Sequence, residues 1–220
     1  MADGCDVRYG HRVVAIDPAA REVSFADGSS VGYTHLVSTL PLVDVVRLAG
    51  VVVDGEPDPH TSVLVLNIGA APGPRHPNAH WIYQPRTESG HHRIGCYSNV
   101  DRSFLPASVR GAGDRVAVYV ERAYRGDEPP TAAERSAFAD DAVAELQAVG
   151  HLGEVDVVDP TWIEVAYTWS WPGSTWRTRA LDQLAALGIQ QVGRFARWSF
   201  QGIADSVHEG LDAGAARRAA

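Results

Sequence analysis

Gly193-Arg194-Phe195-Ala196-Arg197-Trp198-Ser199-Phe200-Gln201-Gly202-Ile203-Ala204-Asp205-Ser206 is the stretch on which the fold turns. Residues Gln190 to Phe195 predict a short strand that carries Arg194 toward a helix beginning near Gly202. A helix start presents unpaired backbone N–H groups and partial positive charge, which suits a phosphate or the electron-rich edge of a polar ring. The arginine adds fixed donors beside it. A strand–turn–helix packing corner with a surface arginine accounts for the same residues, so this stretch alone does not choose between the two. Asp205, at the helix start, is a favourable dipole partner.

Upstream, Thr161 to Thr168 predicts a strand and Ala180 to Leu187 a helix. Thr131 to Val149 predicts an amphipathic helix: Thr131 can cap it with Glu134 three residues on, and Phe138, Val143, Leu146 and Val149 recur at roughly helical spacing. Before it, Thr61 to Ile68, His80 to Tyr83, Arg93 to Ser98 and Arg115 to Arg122 are short strand patterns joined by Pro/Gly-rich loops, as in an antiparallel sheet. At the start of the chain, Arg12 to Ile16 and Glu22 to Phe25 flank a polar turn. Asp27-Gly28 then leads into a returning strand over Val31 to Leu40, Pro41 ends it, and Val43 to Leu48 resumes as a short helix. The Ala/Gly/Arg-rich tail from Ala213 reads as frayed.

The chain has 220 residues with a formal net charge of −8 and scattered basic residues, which argues against a general nucleic-acid binder or an anionic-membrane protein. No apolar run reaches the ~18 to 20 residues of a membrane span, and the first residues lack the regions of a signal peptide, so the expected location is cytoplasmic. Cys5 and Cys96 read as two reduced thiols.

Several segments together resemble the flavoprotein group of amine oxidases, protoporphyrinogen oxidases and UDP-galactopyranose mutases. Asp27-Gly28 matches the turn of that group's hairpin, and Ser38-Thr39-Leu40-Pro41-Leu42 matches the end of its returning strand. His80-Trp81-Ile82-Tyr83-Gln84-Pro85, His92-Arg93 and Tyr97-Ser98-Asn99 look most like the mutase branch, and Trp171-Pro172 stands where a Tyr-Pro is found. Gly193-Arg194-Phe195 matches the flavin-contacting strand, and Gly202-Ile203-Ala204 the helix start beneath the isoalloxazine ring.

The resemblance implies FAD as cofactor. Val13 would pass the adenine by its backbone, Thr39 would lie at the crossing toward the second domain, and Gly193, Arg194, Gly202, Ile203 and Ala204 would meet the flavin. Tyr83, Arg93, Trp171 and Phe200 would face the substrate, a small molecule, and no residue stands out for covalent chemistry. Two departures matter. The group's G-x-G-x-x-G βαβ unit, which cradles the pyrophosphate, is absent from these 220 residues, so the chain reads as the C-terminal part of a longer flavoprotein or as the partner of a separate N-terminal FAD-binding polypeptide. Trp171 and Phe200 replace the tyrosines that the mutase branch turns on the substrate diphosphate, which argues against a sugar nucleotide.

The expected fold is α+β. An incomplete, Rossmann-like FAD-binding domain remnant (residues 1–54 and 178–220) flanks an antiparallel-sheet substrate domain with helices (55–177). The expected function is flavin-mediated hydride transfer; the alternatives are a mutase-type isomerase and an inactive truncated or split fragment. Plainer roles stand beside the sharp ones: a salt-bridged strand-end arginine for Arg194, a solvated rim charge for Arg93, and core or interface, against the lining of a flat apolar substrate cavity, for Trp169, Trp171, Trp176 and Trp198. His76, His80, His91 and His92 lack partners at metal-ligand spacing, so no metal is expected. Ser98 and Ser206 lack a nucleophile-elbow context.

Overall fold

The computed structural model describes residues 4–126 and 128–218. The chain divides into two compact units: residues 60–167 form one, and the flanking segments 1–59 and 168–220 form the other. The architecture is mixed α/β with antiparallel sheets, in line with the expected α+β class.

The inserted unit is a five-stranded sheet in the order β6-β7-β8-β5-β9, formed by β5 (His60–Pro72), β6 (Trp81–Tyr83), β7 (Arg93–Cys96), β8 (Val116–Arg125) and β9 (Leu152–Thr168), the last running one residue past the unit. The β5/β8 ladder is its backbone, antiparallel from Thr61↔Arg125 to Ala70↔Val116. Side chains alternate across a strand. One face therefore carries Leu64, Leu66, Ile68, Ile94, Val118 and Val120, all buried under α3 (Ala132–Ala148). That helix packs Phe138, Ala142 and Leu146 at intervals of one turn, and its Thr131/Glu134 capping box forms as the sequence implies. Val149, expected on the apolar stripe, is partly exposed, and Ala142 takes the inner position.

Two strand expectations shift here. The pattern at Arg93 to Ser98 stops at Cys96, because Tyr97–Val100 form a single helical turn (α2) in which Ser98 Oγ accepts the Ala117 N–H. Ser98 is thus a structural hydroxyl. β9 begins nine residues earlier than Thr161 and runs through Pro160, which an edge strand tolerates because one row of its N–H groups faces away from the ladder.

The flanking unit has a three-stranded antiparallel meander of β1 (Val13–Asp17), β2 (Glu22–Phe25) and β3 (Ser30–Gly32). A separate two-stranded parallel sheet pairs β4 (Leu36–Ser38) with β10 (Ile189–Gln191). The single returning strand expected over Val31 to Leu40 is therefore two short strands, because Tyr33 to His35 pass the chain from one sheet to the other. Helices α1 (Leu42–Leu48) and α4 (Trp176–Ala186) supply Leu42, Val45, Trp176, Ala180 and Leu184 to the interior. Helix α5 (Ile203–Arg218) continues through the tail expected to fray, with Ala213 buried; residues 219 and 220 lie outside the described residues. No helix among the described residues is long and apolar enough to cross a membrane.

Candidate functional site

Because β4 and β10 run parallel, with Ile189 beside Leu36 and Gln191 beside Ser38, both release their chains at the same end of the pair. That end is where open parallel sheets place ligands. Thr39 follows β4 there, and Val192, Gly193 and Arg194 follow β10, the Val192 N–H donating to Ser38 O at 3.0 Å. The strand expected to reach Phe195 ends at Gln191. Gly193, at φ 89°, turns the chain into a coil in which Arg197 N–H donates to Gly193 O and Ser199 N–H to Arg194 O. Arg194 therefore stands on a turn. Its guanidinium lies over the rings of Phe195 and Phe200, with its carbon 5.6 and 5.3 Å from the ring centroids. Trp198, at φ 49° and wholly buried, anchors the turn from below.

Helix α5 starts at Ile203, directly after Gly202, and its entrance is defined by side chains. Asp205 accepts the Gly202 N–H at 2.8 Å, as its place at a helix start implies. Glu209, one turn further on, was not singled out in the sequence, where a surface helix glutamate carries no signal. Its carboxylate accepts the Gly193 N–H at 2.7 Å and the Gln201 side-chain N–H at 2.7 Å, with Arg197 Nε 3.5 Å away. One residue thus ties the turn to the helix. A carboxylate only accepts, so the Gln201 amide must offer it nitrogen, and the other end of that amide, Oε1, is left buried without a hydrogen-bond partner.

Between turn and helix lies a cavity of about 730 Å³ lined by Thr39, Gly193, Arg194, Phe195, Gln201, Gly202 and Ile203, with Val207 and Leu211 along the helix. Five of the seven residues expected at the cofactor are thereby brought together. Ala204, exposed on the first turn of α5, and Val13, at the start of β1 beside a β-bulge, do not line it. Phe200 is 82% exposed and lies beside Arg194.

Tyr83 and Arg93 are brought together in the inserted unit, directly opposite each other across β6/β7 on the sheet face that α3 leaves open. Arg93 also faces Glu121 across β7/β8, and the two side chains form an ion pair. Burial works against the Arg93 charge, but the bond to Glu121 and the neighbouring Tyr83 outweigh it, so the guanidinium holds its proton more firmly than usual. Next to this row, Gly95 faces Tyr119, whose ring lies where a Cβ on Gly95 would stand. Burial raises the Tyr119 hydroxyl's pKa, which keeps it protonated. Glu121 is the other residue sequence inspection passed over, although the strand pairing makes it inseparable from Arg93.

Trp171 lies in the flanking unit, where Asp58, itself buried, accepts from Ser170 Oγ at 2.9 Å and from the Trp171 N–H at 3.4 Å. Of the four tryptophans, Trp176 and Trp198 are core, whereas Trp169 and Trp171 pack edge to face and stay about half exposed. His91 is buried between Ser89 Oγ at 2.7 Å and Gln84 Oε1 at 2.8 Å, and burial lowers its pKa.

The sequence matches no family model and no curated protein. The structure is similar to that of reduced UDP-galactopyranose mutase, with a TM-score of 0.71 and 22% identity over 87% of this chain and 42% of that one. A fatty acid isomerase from P. acnes described as CLA-producing gives 0.56 at 12% identity, covering 92% of this chain and 46% of that one. An oxidoreductase from Methanosarcina mazei gives 0.54 at 14%, covering 92% and 48%. The chain thus spans less than half the length of each of these structures, and at such identities what it shares with them is the fold.

Proposed function

We propose that this chain is the C-terminal portion of an FAD-dependent oxidoreductase of the amine oxidase and protoporphyrinogen oxidase type. The observation that carries the proposal is the convergence of Thr39, Gly193, Arg194, Gly202 and Ile203, from opposite ends of the sequence, on one cavity. The cavity also fits an electron-rich ring with its own N–H: Arg194 supplies a cation and fixed donors, and the unpartnered Gln201 Oε1 a waiting acceptor. When bound, FAD would supply the hydride chemistry. This chain's residues would bind and orient it: Arg194 and the start of α5, with Gly202, Ile203 and Ala204, hold the ring, and Val13 meets the adenine end. Tyr83, Arg93, Trp171 and Phe200 would line the substrate side. The FAD-binding remnant is then 1–54 with 178–220, and the substrate domain 55–177.

The pyrophosphate needs a helix start behind a glycine-rich turn, which these 220 residues do not contain, so a separate N-terminal FAD-binding segment is the expected partner. Purification after co-expression with such a βαβ segment tests this directly: stoichiometric flavin absorption is expected with the segment and little or none without it. A complex that purifies intact but colourless would overturn the proposal. The mutase-type isomerase is kept as a second reading because Tyr83 and Arg93, which the resemblance turns toward a sugar nucleotide, do stand together. Trp171 and Phe200 weigh against it, offering no phenol, and UDP should therefore give no thermal protection.

A further inference from the structure

We propose that Glu121 makes the open sheet face of the inserted unit a recognition site for an uncharged, hydroxyl-bearing small molecule and closes it to anions. The inference rests on the substrate-side reading of that face and concerns what the face accepts. The pocket there has a volume of about 280 Å³ and is built by four strands and α2: Val65 and Asn67 from β5, Arg93 from β7, Tyr119 and Glu121 from β8, with Thr161 and Ile163 from β9 and Tyr97 beside them.

Among the described residues, Arg93 is the only basic residue lining this pocket, and Glu121 the only acidic one. They are ion-paired, with the Glu121 side chain 9% and the Arg93 side chain 23% exposed. A phosphate or carboxylate entering the pocket would either displace the largely buried Glu121 carboxylate from Arg93 or settle beside it, and in both cases two negative charges would share one cation. Stripping one partner from a desolvated pair is far costlier than disturbing a surface pair. His92 does not relieve this, since its Nε2 stands 3.8 Å from Glu121 Oε2, beyond hydrogen-bond reach.

What the pair leaves over points to the complementary ligand. Arg93 Nε, a donor, and Glu121 Oε2, an acceptor, are both buried without a hydrogen-bond partner. A hydroxyl can accept from one and donate to the other, whereas an anion can only accept. Around them, Asn67 and Thr161 present further neutral donors and acceptors, joined to each other at 3.4 Å. The Tyr97 and Tyr119 rings, with centroids 4.6 Å apart, offer an aromatic wall suited to the C–H face of a small ring.

The test follows the Arg93 Nε–H signal by NMR in the full chain, at mildly alkaline pH where an ordinary imidazole is neutral, while myo-inositol or inorganic pyrophosphate is titrated. Saturable shifts of Arg93 Nε–H with myo-inositol and none with pyrophosphate are expected. In Glu121→Gln the preference should reverse, with pyrophosphate affinity rising by about tenfold or more because the guanidinium is released. Asn67→Leu, which leaves the ion pair intact, should weaken the inositol response and keep pyrophosphate excluded, and it serves if Glu121→Gln fails to fold. Saturable pyrophosphate binding at Arg93 in the unaltered chain would overturn the inference while leaving the face a substrate site. No response to either probe would overturn both.

Discussion

The two units solve the problem of burial differently. The inserted unit has one long ladder, β5 with β8, and one helix that closes one face of its sheet, so Leu64, Leu66, Val120, Phe138 and Leu146 meet in a single core. The flanking unit is assembled from strands of three to five residues in two separate sheets. It leaves Ile203 87%, Phe200 82% and Leu211 64% exposed along one stretch of chain. A two-stranded parallel sheet is an unusual endpoint, because parallel sheets are ordinarily covered on both faces. Stability is thus concentrated in the inserted unit, and unsatisfied apolar surface around the candidate flavin cavity.

Deleting the same side chain from each unit puts that contrast to the sharpest test. Phe138→Ala, in the closed core, should cost about 3–5 kcal/mol by urea denaturation. Phe200→Ala, on the exposed turn, should stay within about 0.5 kcal/mol. Equal losses would break the comparison.

Gly95→Val asks whether the open sheet face is as tightly specified as the covered one. The new side chain meets the Tyr119 ring, so a loss of about 1–3 kcal/mol is expected, and it should be accompanied by a shift of the Tyr119 and Arg93 NMR signals. An unperturbed spectrum would mean that the aromatic floor is mobile.

For the flanking unit the informative change is in binding. In the protein complemented with a βαβ segment, Arg194→Ala should weaken flavin binding or destabilise the reduced flavin by about 1–3 kcal/mol, read by titration or by reduction potential. Arg194→Lys should recover only part, lacking the planar fork. Unchanged values would return Arg194 to the role of a turn cation stacked on two phenylalanines.

The smallest expected effect is a pH dependence confined to the inserted unit. Burial lowers the His91 pKa, so the unfolded chain takes up protons first and stability should fall as pH drops below about 6.5, the ordinary imidazole value. Glu145 adds to the trend at lower pH. Burial raises its pKa, but the N–H groups of Ser89 and Glu88 outweigh this and lower it overall, so its contribution is present above the ordinary carboxyl value and lost as pH falls through the folded one. His91→Gln should flatten the upper part of a plot of melting temperature against pH; an unchanged slope there would remove His91 as its source.

Local chemistry was the most legible part of the sequence. The Thr131/Glu134 cap, the Asp27-Gly28 turn and the helix after Gly202 depend on neighbouring residues, and each stands where the sequence implies. What depends on partners distant in sequence was not legible. The break at Tyr33 to His35 exists because β4 pairs with a strand near the other end of the chain, and β9 runs through Pro160 because it lies at an edge. At the candidate sites, Arg194 and Arg93 could be singled out from motifs. The carboxylates that act on their surroundings, Glu209 and Glu121, could not, since each acquires its role only through the turn it fastens or the strand it faces.

The pairing of residues 36–38 with residues 189–191 also favours one order of events during folding. Drawing those ends together through a disordered intervening chain would carry the loop-closure entropy of everything between them. Residues 60–167 are contiguous and hold their own core, so they can collapse first, during synthesis, before β10 has been made. Once they have, the loop to be closed is a folded body in place of a long random chain, and the Trp169 N–H bond to Pro59 O at 3.2 Å fastens the two strands of chain that enter and leave it. The cavity that draws its lining from both ends of the chain is accordingly expected to form late, and its appearance should report the completion of folding.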